Sequence, residues 1–169
     1  MRSTLGIEVE AEPLSRLAAE VAVAGFFRDR RPLRGGAGQA DWRLCGWVSG
    51  LVAAARLTGE WGEGALVLTQ ARLQAPRLLL LGLGSQARFG PDAHREAARA
   101  ALERVVALGA GVVAIDLPPP DGVDAPERVA AGLLAGACEA LDPRAVRVLL
   151  RVSVPAGQAP RWRAAFEQG

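Results

Sequence analysis

Lysine is absent from this sequence: all 20 basic side chains are arginine, and against 18 acidic ones they leave a net charge of +2. Mechanisms that need a Schiff base, a P-loop ammonium or a catalytic lysine are therefore excluded from this polypeptide. So near a balance of charge also leaves little excess to draw in nucleic acid, and binding driven by phosphate contacts is not expected. Only two cysteines, Cys45 and Cys138, and one histidine, His94, are present, without a CxxC or HExxH spacing. They cannot supply the usual four-ligand Cys/His zinc site, and no metal or cofactor is expected. Long apolar runs are missing too. No uninterrupted apolar run, the leucine-rich residues 78 to 83 included, comes near the roughly 20 residues that span a bilayer. The opening MRSTLGIEVEAE turns acidic where a signal peptide would need an apolar segment, so a cytoplasmic protein with no membrane partner is expected. In a reducing compartment, with apolar neighbours (LCGWV and AGACEA), the two cysteines are expected to be reduced, buried small hydrophobes.

What remains is the composition of a globular chain. Its 169 residues are 50% hydrophobic and 22% charged, enough for one domain with a core of its own. Alternating residues 5 to 11 predict a strand, and 19 to 25 a second. A surface loop is expected over 28 to 40, then a helix from Asp41 to about Leu57, broken by the glycines of 58 to 64. The runs 65 to 69 and 77 to 81 read as adjacent strands buried on both faces. From Pro91 to Leu108, Asp92, Arg95, Glu96, Arg99 and Glu103 share one face and Ala97, Ala101, Val105 and Leu108 the other, which predicts a helix ended by Gly109. A strand at 111 to 117 stops at Pro118-Pro119-Pro120. Asp124 and Glu127 form a capping pattern before Val129, Ala130, Leu133, Leu134, Ala137 and Leu141, and Asp142-Pro143 ends that helix. Residues 145 to 152 predict another strand and 160 to 167 a short helix. Strands alternating with helices argue an α/β fold with a mixed, largely parallel sheet flanked by helices.

Few residues suggest chemistry. Gly82, Gly84 and Ser85 follow a buried strand and precede a helix, where exposed backbone N–H groups can cradle a phosphate; a plain structural turn is the competing reading. Gly35-Gly36-Ala37-Gly38 beside Arg34 could wrap an anion or be a flexible loop. His94 is expected to be a solvated surface histidine, and Asp116, at the end of an apolar strand, a capping or turn residue. Trp42, Trp47, Trp61 and Trp162 do not interleave with arginines, so core packing or a protein interface accounts for them better than base stacking.

Three segments in order carry a resemblance: Ala22-Val23-Ala24-Gly25-Phe26-Phe27-Arg28-Asp29, then Gly59-Glu60-Trp61-Gly62-Glu63-Gly64 leading into Leu66-Val67-Leu68, then Arg77 to Gly84 (RLLLLGLG). Together with Gly132 to Cys138, they resemble the N-terminal domain of the leucyl aminopeptidase (cytosol aminopeptidase) family over about residues 5 to 152. Cys138 stands where the family usually has tyrosine. The resemblance implies a three-layer, macro-domain-like fold over 1 to 169, with a core at about 5 to 152 and a helical tail at 155 to 169. It also implies that catalysis belongs to a separate C-terminal domain holding two metal ions through Asp, Glu and Lys. Nothing here matches those positions, so a stand-alone domain without peptidase activity is expected. Two functions follow. One is protein association, with itself or with an aminopeptidase-like partner, as the family's hexamers suggest. The other is binding of ADP-ribose or a related nucleotide through the loop of Gly82, Gly84 and Ser85. Trp162 and Phe166, four apart near the C-terminus, are the candidate interface residues, unless they fold back onto the domain's own core.

Overall fold

The structure, a computed structural model, describes residues 2–168. Its centre is a six-stranded sheet in the order β1-β6-β5-β2-β4-β3, built from β1 (Thr4–Glu10), β2 (Val21–Phe26), β3 (Gly64–Leu68), β4 (Arg77–Gly82), β5 (Val112–Asp116) and β6 (Arg147–Ser153). Five strands run parallel, and β3 alone is antiparallel, paired to β4. Covered on both faces, β2 and β4 read as unbroken apolar runs, VAVAGF and RLLLLG.

Five helices complete three layers. On one face lie α3 (Ala93–Ala107), α4 (Pro126–Leu141) and α5 (Ala159–Glu167), whose apolar stripes join Val23, Leu81, Val113 and Leu150 in one core. On the other lie α1 (Gly35–Arg43) and α2 (Trp47–Ala53), packed with Ala22, Phe26, Leu78 and Leu80 in a second core. The fold is the expected mixed, largely parallel α/β architecture. Ala97, Ala101 and Val105 are buried along α3 as its pattern predicts. None of the helices among the described residues is long and apolar enough to cross a membrane.

Several local expectations need correction. Within the expected 28 to 40 loop, α1 starts at Gly35, because the carboxylate of Asp116 accepts the Gly36 N–H and satisfies a donor of its first turn. The single helix expected to Leu57 is two, since Cys45 and Gly46 adopt positive φ (57° and 78°) and turn the chain between α1 and α2. In place of a strand buried on both faces, β3 is an edge strand with Leu66 48% and Leu68 72% exposed. No side chain caps α4: Asp124 and Glu127 instead hold Arg161 of α5 at 2.9 Å each. Cys45 and Cys138 are free thiols but exposed, Cys45 in the turn between α1 and α2 and Cys138 on the outer side of α4. His94, expected in solvent, is 3% exposed beneath Phe89, their rings 4.7 Å apart.

The C-terminal helix turns back onto the molecule. Trp162 is 8% exposed within the first core, and Phe166 packs against that core as well. Of the two arrangements open from sequence, the structure holds these rings on the domain's own interior.

Candidate functional site

After β2 the chain passes to α1 and then β4; after β5 it passes to α4 on the opposite face and then β6. The two connections diverge between adjacent strands, and the carboxyl ends of β2 and β5 open a crevice there, as parallel sheets do where their winding reverses. A cavity of about 600 Å³ occupies it.

Its polar wall comes from three segments. Asp116, ending β5, accepts the Gly36 N–H at 2.5 Å. Burial pushes the Asp116 carboxyl above its usual range, while the Gly36 N–H and the charge of Arg30 pull the other way. Arg30 pairs with Asp121 and donates to the Pro119 carbonyl at 3.5 Å, its guanidinium 5.7 Å from the ring of Phe27. That pairing holds Asp121 below the ordinary carboxylate range. Arg30 Nε and Gln39 Oε1 are buried without a hydrogen-bond partner. Val129, Leu133, Val154 and Trp162 form the apolar side.

The cavity's anion donors are the guanidiniums of Arg30 and Arg34, not the main chain of its rim. Pro118, Pro119 and Pro120 follow Asp116 along its rim and have no N–H to offer. At the start of α1, the Gly36 N–H is already taken by a carboxylate of the chain itself. The Gly35 to Gly38 stretch is thus the first turn of α1, and Asp116 does cap, but a helix far away in sequence.

Gly84 and Ser85 line a second cavity, of about 470 Å³, with Arg28, Trp61, Arg88 and Glu96. The main chain before Ser85 is fully engaged: the N–H groups of Gly82, Leu83 and Gly84 donate to Glu63, Phe26 and Gly59 at 2.8, 2.9 and 2.9 Å. Glycine is required at these points for close approach, since a Cβ on Gly82 would meet the backbone of Gly59 and Glu60, and Gly84 has φ +70°. His94 lies behind Phe89, and burial holds its imidazole down to about 4, opposed in part by the Leu117 and Pro118 carbonyls. Trp162 sits in the wall of the first cavity, donating to Gln158 Oε1 at 3.4 Å. Among the described residues no group of three or more His, Cys, Asp or Glu side chains could hold a metal ion.

Nothing in the local sequence around Arg30, Gln39 and Asp121 marks them as neighbours in space. The one signal pointing to them was the proline run directly after an acidic strand end, which marks a loop at the carboxyl edge of the sheet.

Comparison with known proteins agrees with this architecture. The model of the cytosol aminopeptidase family, N-terminal domain, matches residues 21–142. Over 131 residues the chain is 32% identical to a probable cytosol aminopeptidase of Geobacter sp., covering 77% of this chain and 26% of that protein. It is 25% identical over 131 residues to one of Alkaliphilus oremlandii, covering 78% and again 26%. The chain therefore spans about a quarter of the length of these relatives. Among solved structures, a mutant of tomato leucine aminopeptidase superposes with a TM-score of 0.68 at 19% identity, over 98% of this chain and 35% of that one. The Oceanobacillus iheyensis macrodomain with ADP gives 0.67 at 13%, over 96% and 88%.

Proposed function

Because the chain belongs to the cytosol aminopeptidase family through its N-terminal domain, we propose that it works by protein association and not by hydrolysis, bound to itself or to an aminopeptidase. The observation that carries this reading is its exposed apolar surface. Trp42 is 77% and Trp47 47% exposed at the corner joining α1 to α2, while Leu66 and Leu68 stand out along β3. The two pairs are separate, since Leu66 and Leu68 alternate with Val67 of the core under α1 and α2 and so turn to the other face, and each is the kind of exposed apolar group that marks contact sites on soluble proteins. Trp162 and Phe166 contribute less, being packed inward. The reading suits a cytoplasmic protein, as the names of its relatives suggest.

Sedimentation of the purified chain, alone and mixed with a purified cytosol aminopeptidase, tests the proposal. A complex in either sample, weakened by Trp42→Ser together with Trp47→Ser, is expected. The chain sedimenting as a free monomer in both samples would remove it.

The second reading, a nucleotide such as ADP-ribose, draws on the 600 Å³ cavity at the strand ends and on the likeness to macrodomains. Against it stand the proline rim, the Gly36 N–H already occupied by Asp116, and the engaged N–H groups of Gly82 and Gly84. Calorimetric titration with ADP-ribose separates the two readings.

A further inference from the structure

The sheet has two edges, and they are treated differently. Along β1, the bonds Thr4 N–H to Val146 O and Val154 N–H to Glu10 O show that even-numbered residues face β6, so Leu5, Ile7 and Val9 turn their main chain outward. That edge is guarded: Arg163 of α5 donates to the Val9 carbonyl at 3.3 Å, and Glu8 and Glu10 place charge on the strand. Along β3, the bonds Gly82 N–H to Glu63 O and Thr69 N–H to Pro76 O bracket the strand, so its odd-numbered residues face β4. Gly64, Leu66 and Leu68 therefore direct their N–H and C=O groups outward, and all three are exposed. The strand, GALVL, carries no charge and no proline. Shortness and the Arg104 guanidinium beside Gly64 limit what can pair there, but no side chain of the strand itself repels a partner.

We propose that β3 pairs antiparallel with β3 of a second copy of this chain, about a twofold axis through Leu66. This rests on the association reading above and names the partner. The register is self-complementary. With Leu66 opposite its twin, Gly64 of each copy faces Leu68 of the other, and every outward N–H and C=O of these residues finds a partner. Leu68, the most exposed leucine, then lies over the one residue of the strand without a side chain, beside the Arg104 guanidinium, which stands 3.5 Å from where a Gly64 Cβ would be. A strand of 5 residues is a short interface, so the dimer is concentration-dependent.

Sedimentation equilibrium over a wide dilution series, with far-UV circular dichroism to confirm folding, tests this. The expected result is a monomer–dimer equilibrium weakened roughly tenfold or more by Leu66→Lys, which sets like charges directly opposite in place of two leucines. A covalent readout covers the case in which that variant fails to fold. With Cys45 and Cys138 changed to serine, Leu66→Cys should cross-link under air oxidation, since directly opposed Cα atoms lie about 5.5 Å apart, within disulfide reach. Leu68→Cys should not, because its twin lies about 13 Å along the ribbon. A dimer indifferent to Leu66→Lys, or cross-linked equally at both positions, overturns the edge pairing and moves self-association to another face. A monomer at every concentration also overturns it, and association then stands or falls on the mixture with an aminopeptidase.

Discussion

His94 sits on the first turn of α3, a position that ordinarily faces water, yet the loop carrying Phe89 folds over it. Its charged form is disfavoured by burial, so the folded chain takes up the proton only near pH 4, against 6.5 for the free side chain. Between those values the unfolded chain holds more protons. Stability is therefore undiminished by this group above about pH 6.5, falls as acid is added, and stops falling below about pH 4, for a total near 3 kcal/mol. Asp116 works in the opposite sense: its raised value lets the folded chain bind a proton first, which adds stability as pH drops through the range above 3.8. Urea unfolding at several pH values should show the His94 slope, and His94→Leu should flatten it. A wild-type profile that His94→Leu leaves unchanged would mean the folded imidazole titrates as it does in the unfolded chain. None of this was legible in the sequence, because what buries His94 comes from outside its helix: the Phe89 loop, the chain at Leu117 and Pro118, and α4 at Gly132. The two cysteines mislead for a related reason: apolar neighbours in sequence say neither that Cys45 falls in a turn nor that Cys138 is on the outer side of α4.

Helices α3 and α4 meet through small residues, and there the sequence was informative, since alanines and glycines recur on the facing stripes. Gly132 touches α3 so closely that a Cβ would lie 2.7 Å from the Cβ of His94 and 3.1 Å from the Arg95 nitrogen. Gly132→Ala should thus lower stability by about 1 to 3 kcal/mol, as overpacking does. Gly50, inside α2, has nothing within 4 Å of such a Cβ. There Gly50→Ala should stabilise by about 0.5 to 1 kcal/mol, the usual gain in a helix interior. Thermal melts of the two variants should move in opposite directions; equal shifts would show that the α3–α4 approach is looser than described. Most strands and both long helices follow from apolar periodicity, which is local. The start of α1 does not, because its N-terminal partner, Asp116, is 80 residues away. Nor does the exposure of β3, since ALVLT has the same apolar content at an edge as in the middle of a sheet, and only strand order tells them apart.

For the molecule as a whole, the question is whether this layered fold can perform hydrolysis on its own. A two-metal peptidase centre needs several carboxylates converging on ions about 3.5 to 4 Å apart. Here the acidic groups are dispersed and answered by arginine: Glu8 by Arg151, Glu60 by Arg28, Glu103 by Arg99, Asp121 by Arg30, and Glu127 by Arg161. Such pairs sit apart over the surface, and bringing three carboxylates onto one ion would mean breaking several of them at once. The absence of lysine removes the cationic group that the resemblance assigns to the catalytic domain, and arginine cannot replace it as a proton carrier, because its guanidinium stays charged. Carboxylates do line both cavities, Asp116, Asp121 and Asp124 in one and Glu60, Asp92 and Glu96 in the other, but among the described residues no three acidic, histidine or cysteine side chains are grouped so as to hold a metal ion. Purified protein should therefore leave leucine p-nitroanilide intact with zinc, manganese or magnesium added. Metal-dependent turnover that stays with the chain through successive columns, and survives a change of expression host, would overturn the non-catalytic reading and require a site assembled on association, across copies or with a partner.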